Sequence, residues 1–351
     1  MMTFGINGFG RIGRTAFRVW WQYHRYSANL AMINTSGSME VDGWAYLLKY
    51  DSNYGVFSEE IRTETIRKAK EATDENPEIG FIFIGDRKIV VTAQRAPEKL
   101  PWGANGVHTV IESTGVFTDN EGASKHLQGG AQRVIISAPP KGDGIGTYVI
   151  GVNADGLSGG DSDAIKILSN ASCTTNCVAP VTSVMVSSFG VEKAIMSTIH
   201  AYTDDQNLHD NSHRDARRSR AAAKNIVPTT TGAAVAVTET IPELKGLFDG
   251  ISYRVPVSVG SLSDMVFVTR RPVTIEEVNN ALSEAAGQDR WRGVLAVSTD
   301  PIVSQDIVGR RESSIVDLPL TNVVGGNLVK VVSWYDNEYG YCNRLVEQAI
   351  E

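Results

Sequence analysis

Residues 3–13 read Thr3-Phe4-Gly5-Ile6-Asn7-Gly8-Phe9-Gly10-Arg11-Ile12-Gly13. A β-rich run breaks into three glycines spaced G-x-G-x-x-G and continues into a stretch of helical character. Each glycine has a task in that setting. Gly8 permits a tight turn, Gly10 lets the backbone approach a pyrophosphate, and Gly13 allows a helix to pack closely on a sheet with its N-terminus facing the anion. The motif alone is a weak signal. Placed between a first strand and a helix, it predicts a parallel βαβ unit that binds a dinucleotide.

Working outward, the first half alternates short β-rich runs with longer amphipathic stretches, the pattern of a parallel sheet covered by helices. Candidate strands are Thr3–Asn7, Leu30–Asn34, His108–Ser113, Arg133–Ser137, Tyr148–Val152 and Ile165–Ser169. Their nearly continuous apolar character fits strands buried on both faces. A charged excursion from Asp51 to Arg95, including IRKAKEATDENPEIG, reads as a hairpin with an exposed insertion. The pattern changes at Cys173. AIMSTIH, ISYRVP, SDMVFVTR and NLVKVVSWY read as strands of an antiparallel sheet, TIEEVNNALSEAAG has helical period, and the tail NEYGYCNRLVEQAIE reads as an amphipathic helix. A long polar loop runs from about Ala201 to Asn225, and structureless segments of that length are usually functional. The expected fold is α/β: a Rossmann-type doubly wound parallel sheet over residues 1–172 and 337–351, and a mixed α/β catalytic domain with a largely antiparallel sheet over residues 173–336.

Bulk properties narrow the function. The chain has 351 residues, 42% hydrophobic and 21% charged, which suits two globular domains. A net charge of −7 argues against non-specific nucleic-acid binding as the main task. The chain opens directly on a strand and turn, no apolar run approaches a membrane span, and three cysteines make no disulfide framework. A cytoplasmic enzyme is expected, with no membrane partner.

The residue that reads the adenosine ribose lies about 20 residues beyond the glycines, at the end of the next strand. That strand ends AMINTSGSME, so the usual acid is replaced by Thr35, followed by Ser36 and Gly37. A carboxylate there holds the 2′-hydroxyl and repels a 2′-phosphate, whereas Thr35 and Ser36 can donate hydrogen bonds to a phosphate.

The stretch Ser169-Asn170-Ala171-Ser172-Cys173-Thr174-Thr175-Asn176-Cys177 follows a β-run and precedes a segment of helical length. A cysteine at a helix N-terminus feels the positive end of the dipole, which favours thiolate. Cys177, one turn deeper, reads as a buried structural thiol. Of six histidines, His200 ends the strand AIMSTIH and opens the polar loop, where a scaffold can present an imidazole to a cleft. His209 and His213 lack a third ligand and read as loop histidines, so no metal site is expected. His24, His108 and His126 have no chemical context.

Taken together, INGFGRIGR, LLKYDSNYG, ESTGVFT, GGAQRVIISAP, SNASCTTNC, STIHAYT, TTTGAA, YRVP and WYDNEYGYCNR resemble phosphorylating glyceraldehyde-3-phosphate dehydrogenases nearly end to end. The resemblance implies Cys173 as nucleophile and His200 as its base. It implies cofactor contacts at Arg11, Ile12, Arg95, Ser137, Asn337 and Tyr341. It puts the substrate phosphate on Thr203 and Arg254, and inorganic phosphate on Ser172, Thr174, Arg217, Thr231 and Gly232. Hydroxyls, backbone N–H groups and an Arg fork are good donors to phosphate oxygens. The loop HAYTDDQNLHDNSHRDARRSRAAAKNIVPTTTGAA is closer to the photosynthetic, NADP-accepting branch, in which Ser212 matches a position that reaches a neighbouring subunit's 2′-phosphate. The implied activity is reversible oxidation of glyceraldehyde 3-phosphate to 1,3-bisphosphoglycerate with NADP or NAD, through a thiohemiacetal and a thioester, in a homotetramer. The alternatives are an erythrose-4-phosphate dehydrogenase, which shares fold and cysteine, and a non-catalytic protein that binds RNA through the basic run Arg217–Lys224.

Overall fold

A computed structural model describes residues 1–157 and 165–351. Contacts divide the chain into two compact units: Met1–Thr147, Gly156–Asn170 and Cys342–Glu351 form one, and Tyr148–Asp155 with Ala171–Tyr341 form the other.

The first unit is built on a nine-stranded sheet. Its strands are β1 (Met2–Asn7), β2 (Ala28–Thr35), β3 (Arg62–Thr65), β4 (Glu78–Ile84), β5 (Arg87–Ala93), β6 (Thr109–Glu112), β7 (Arg133–Ile136), β8 (Gly146–Thr147) and β9 (Ile167–Ser169). The spatial order is β8-β9-β7-β6-β1-β2-β5-β4-β3. All neighbours from β8 to β5 are parallel, and β5, β4 and β3 pair antiparallel. Strand order reverses at β1, which has β2 on one side and β6 on the other. That reversal opens the crevice where doubly wound sheets bind ligands. Helices α1 (Arg11–Val19), α2 (Val41–Lys49) and α3 (Asn120–Gln128) follow β1, β2 and β6. Phe4, Phe17 and Trp20 are fully buried, and Phe17 meets Trp20 edge-on with centroids 5.4 Å apart, a favoured geometry for aromatic pairs.

Two features differ from expectation. The Asp51–Arg95 excursion is more than a hairpin with an exposed insertion, because it extends the sheet by β3, β4 and β5; Ile79, Ile82, Ile84, Ile89 and Val91 are fully buried there. Tyr148–Val152 is no strand. Gly151 takes φ +79 and the Asn153 side chain accepts the Val149 N–H at 2.8 Å, so the segment turns instead.

The second unit holds an eight-stranded mixed sheet. Its strands are β10 (Val191–Ala201), β11 (Val227–Thr229), β12 (Phe248–Val255), β13 (Ser261–Thr269), β14 (Leu295–Ser298), β15 (Ser314–Asp317), β16 (Asn322–Val324) and β17 (Leu328–Tyr335). Antiparallel pairs dominate, while β10/β12 and β14/β15 are parallel. Helices α4 (Cys173–Phe189), α5 (Ala233–Thr240) and α6 (Ile275–Ala286) bury Val181, Val237 and Leu282 in one core with Met196, Phe267 and Val331 of the sheet. A capping box between Thr274 and Glu277 starts α6, a device worth about 1 kcal/mol. Residues 202–226 carry no helix or strand. The C-terminal helix α7 (Tyr339–Ile350) forms as its sequence suggests, yet it is buried on nearly all sides. Its Arg344 is fully buried and pairs with Glu347.

Candidate active site

In the first unit, a cavity of about 560 Å³ opens at the carboxyl ends of the central strands. It is lined by Asn7, Gly8, Phe9 and Gly10 after β1, by Asn34, Thr35 and Ser36 after β2, by Gln94 and Arg95 after β5, and by Ser113, Thr114 and Phe117 after β6. Gly8 has φ +94, and a Cβ on it would meet Thr114 N at 2.8 Å; a Cβ on Gly13 would sit 2.1 Å from the Gly8 carbonyl oxygen. At Gly10, by contrast, a Cβ would meet nothing within 4 Å, so open space faces the start of α1. No side chain caps α1, and its first turn has no acid. A dinucleotide pyrophosphate fits this cradle, since an uncapped helix start over bare glycine backbone attracts an anion.

Buried amides fix the cavity walls. Asn34 Nδ2 donates to Asn7 Oδ1 at 2.7 Å, and Asn34 Oδ1 accepts from Thr92 Oγ1 and from the Gln94 N–H. Asn7 Nδ2 donates to Glu112, whose carboxylate lies 2.9 Å from His126 Nε2. His126 Nδ1 accepts the Trp102 indole N–H at 3.1 Å, so the neutral ring carries its proton on Nε2, towards Glu112. The ESTGVFT segment held the signal for Ser113, Thr114 and Phe117; nothing local announced His126, which lies 14 residues from Glu112 in sequence.

Of the sequence-derived cofactor residues, Gly8, Gly10, Thr35, Ser36 and Arg95 line this cavity, while Arg11, Ile12, Gly13 and Ser137 do not. The Arg11 guanidinium is committed to Asp51 at 2.7 Å. Burial raises the Asp51 carboxyl, but the Asn53 N–H and Arg11 outweigh it and hold the carboxyl below its usual range. Thr35 departs from its expected part. It is 2% exposed and donates its hydroxyl proton to the Thr92 carbonyl at 2.9 Å, so that proton is not on offer to a ligand. Ser36 is exposed, with its hydroxyl 2.9 Å from that of Ser38. Ser137 follows β7 and donates its N–H to the Glu112 carbonyl.

In the second unit, Cys173 is the first residue of α4 and Ser172 is the N-cap, its hydroxyl accepting the Thr175 N–H at 3.1 Å. Ala171, just ahead, has φ 56 and is the one non-glycine residue in the left-handed region among the described residues. His200 lies near the end of β10, paired in register with Arg254 on β12. Cys173 Sγ is 3.3 Å from His200 Nε2. Behind the ring, Arg254 Nη1 is 2.7 Å from Nδ1 and donates to the Ala201 carbonyl at 3.1 Å. Burial pushes the Cys173 thiol up, against the pull of Arg254 and the Thr174 backbone N–H. Burial and then Arg254 push His200 down, to about 3. Burial thus disfavours charge on both members of the pair, against the pull towards thiolate expected from the start of α4.

Thr174 is buried, with its hydroxyl 2.8 Å from Tyr335 Oη; Tyr335 Oη is also 2.8 Å from Thr198 Oγ1, and Thr198 donates to the Leu262 carbonyl. One terminal acceptor orders the chain: Thr198 must accept from Tyr335, and Tyr335 from Thr174. The Thr174 proton in this order goes to Tyr335. Arg217 is exposed, whereas its neighbour Arg218 pairs with Asp205 and donates to Thr229 Oγ1 at 2.8 Å. Thr231 Oγ1 accepts the Ala233 N–H, and Gly232 caps α5. Thr203 is half-buried and Ser212 is exposed in the polar loop. Asn337 is buried, its oxygen accepting from the Gly260 N–H and the Ser261 hydroxyl. Tyr341 is buried and donates to the Ala171 carbonyl. Cys177 is fully buried, and burial pushes its thiol up to about 12.

An anion cradle at the carboxyl end of a parallel sheet is built for a dinucleotide, and a chain that also carries a cysteine–histidine pair falls among the NAD(P)-dependent oxidoreductases. The comparisons narrow the class. The family profile "Glyceraldehyde 3-phosphate dehydrogenase, NAD binding domain" matches residues 2–120, and its C-terminal domain counterpart matches residues 172–337. A glyceraldehyde-3-phosphate dehydrogenase of Geobacillus stearothermophilus is 45% identical over 98% of this chain and 96% of its own length. Glyceraldehyde-3-phosphate dehydrogenase 2 of Streptomyces arenae is 47% identical over the same shares. The chloroplastic glyceraldehyde-3-phosphate dehydrogenase A of Zea mays is 46% identical over 98% of this chain and 80% of its own. The chain belongs to the glyceraldehyde 3-phosphate dehydrogenase family. Among the described residues, no helix is long and apolar enough to cross a membrane.

Proposed function

We propose that the chain catalyses reversible, phosphorylating oxidation of D-glyceraldehyde 3-phosphate to 1,3-bisphosphoglycerate with NAD(P). The observation that carries this reading is the 3.3 Å approach of Cys173 Sγ to His200 Nε2, with Arg254 behind the ring to receive a phosphate. Cys173 sulfur attacks the aldehyde carbon and forms the C–S bond of a thiohemiacetal. The Cys173 backbone N–H, at the start of α4, faces the developing oxyanion, and His200 Nε2 takes the hydroxyl proton as the carbon is oxidised to a thioester. Gly8 and Gly10 would hold the cofactor's pyrophosphate and Ser36 and Arg95 its adenosine-ribose end, and the nicotinamide would supply hydride acceptance. Inorganic phosphate then adds to the thioester carbonyl and the Cys173 thiolate leaves. The relatives reported above are named for glyceraldehyde 3-phosphate, which leaves erythrose 4-phosphate without support. Steady-state oxidation of glyceraldehyde 3-phosphate, with and without phosphate, tests the reading; phosphate-independent turnover, or none with this substrate, overturns it.

NADP acceptance is part of the proposal. No carboxylate stands at the ribose position to repel a 2′-phosphate, the exposed Ser36–Ser38 pair offers hydroxyls, and Arg95 lines the same cavity as Ser36. These features replace the expected contact from Thr35 and favour the photosynthetic-type reading of the loop, with Ser212 of one subunit serving another. A homotetramer working in the cytoplasm is also proposed, the tetramer on the family resemblance and the long polar loop from Ala201 to Asn225. Sedimentation at a single 38.0 kDa mass at micromolar concentration would rule the oligomer out.

A further inference from the structure

The backbone of Gln94 fixes the amide of Asn34 from both ends. Asn34 Oδ1 accepts the Gln94 N–H at 3.0 Å, and Nδ2 donates to the Gln94 carbonyl at 2.7 Å. The same Nδ2 donates to Asn7 Oδ1, so Asn7 turns its own Nδ2 towards Glu112. A second chain arrives from α3. The Trp102 indole can only donate, and it donates to His126 Nδ1 at 3.1 Å, which leaves the ring proton on Nε2, 2.9 Å from the Glu112 carboxylate. The Thr114 N–H, another obligatory donor, meets Glu112 Oε1 at 2.7 Å, together with the Thr114 hydroxyl. All these donors run towards one side chain.

A carboxylate only accepts, so it satisfies every one of them at once. An amide at position 112 would serve the Thr114 side but turn N–H groups towards Asn7 and His126, which share Oε2. Neither partner can turn over in response. Asn34 holds Asn7, and Trp102 holds His126. Glu112 and His126 are both buried, so water offers no replacement and a half-satisfied network is costly.

These bonds cross the carboxyl ends of β6, β1, β2 and β5, four neighbours in the sheet. Asn7, Asn34, Gln94 and Thr114 all line the cavity described above. The glycine turn packs on the same anchor, since a Cβ on Gly8 would lie 2.8 Å from Thr114 N.

We propose that Glu112 is a positioning residue for the dinucleotide: it anchors a strap of directional hydrogen bonds that sets the spacing of four strand ends and so the shape of the cofactor cradle. The proposal rests on the reading of this cavity as the dinucleotide site. Glu112 acts through Asn7 and Thr114 and touches no reacting atom, so its effect falls on cofactor affinity and not on the chemical step. NAD and NADP feel it alike, because the strap holds strand ends and does not read the 2′ position.

The test is isothermal titration with NAD and with adenosine diphosphate ribose, paired with steady-state kinetics and urea unfolding. Glu112→Gln is expected to raise the Kd of both by about tenfold or more. Its kcat at saturating cofactor and its NAD-to-NADP ratio of kcat/KM should each stay within about twofold of the unsubstituted enzyme. His126→Gln carries on one amide an acceptor for Trp102 and a donor for Glu112, and should nearly keep the parent affinity. His126→Leu offers neither and should weaken binding as Glu112→Gln does, so the histidine pair decides the matter even where Glu112→Gln does not fold. Parent affinity in Glu112→Gln, with or without a loss of urea stability, overturns the proposal. Equal affinity in His126→Leu and His126→Gln does the same, as does a fall in kcat with cofactor KM unmoved. Binding of adenosine diphosphate ribose needs no turnover, so such a result leaves the dehydrogenase reading standing, which the activity of Cys173→Ser decides.

Discussion

Thr35 donates its hydroxyl proton to the carbonyl oxygen of Thr92 across the parallel strands β2 and β5, at 2.9 Å. The residue that replaces the ribose-binding acid is thus a structural tie as well as a gap in the site's negative charge. Thr35→Asp should act in two ways. Loss of the donor beside a buried carbonyl is expected to lower unfolding stability by about 1–3 kcal/mol. The new carboxylate should shift the ratio of kcat/KM for NAD over NADP by about tenfold or more. Urea unfolding and paired cofactor kinetics check both effects, and an unchanged cofactor ratio would show that the ribose end is read elsewhere.

Ser36→Ala should lower kcat/KM for NADP by about two- to tenfold, the worth of one partly exposed hydrogen bond, and leave that for NAD nearly unchanged. An equal fall with both cofactors would remove Ser36 from 2′-phosphate recognition.

The pair Arg11–Asp51 ties the start of α1 to the turn after α2. Asp51 has a folded-state pKa below its unfolded value. Its stabilising contribution is therefore present above the unfolded carboxylate value near 4 and is lost as pH falls through the folded value. The stability difference between the unsubstituted protein and Asp51→Asn should stay constant, at about 1 kcal/mol, from neutral pH to about 5 and close in more acid solution. A gap that widens on acidification would contradict this assignment.

Iodoacetamide should label Cys173 alone among the three cysteines of the native protein. Cys177 and Cys342 are both fully buried, and the Cys177 thiol is pushed up to about 12. Peptide mapping after brief alkylation checks it, with labelling of Cys177 before global unfolding as the opposing result.

Much of this arrangement was legible because it is local in sequence. Gly8, Gly10 and Gly13 carry their meaning in spacing, Cys173 in its place at the start of a helix, and His200 in its place near the end of a strand. What escaped reading depends on register between distant segments. Arg254 meets His200 across 54 residues, Thr35 meets Thr92 across 57, and Thr174 meets Tyr335 across 161. A hydroxyl's donor direction is fixed only by its final acceptor, so sequence could assign Thr35 and Thr174 to ligands that their protons do not face. The Asp51–Arg95 excursion misled for a related reason: its polar connection, residues 66–77, obscured strands β4 and β5, which bury their apolar residues.

The central claim is that oxidation proceeds through a thioester on Cys173, and a single-turnover burst tests it most directly. Enzyme mixed with NAD(P) and glyceraldehyde 3-phosphate in the absence of inorganic phosphate should give a rapid burst of reduced cofactor stoichiometric with active sites. Mass spectrometry should then find one acyl group on Cys173, released on adding phosphate, and Cys173→Ser should give neither burst nor adduct. A full burst in Cys173→Ser, or an acyl group found on another residue, would contradict the account.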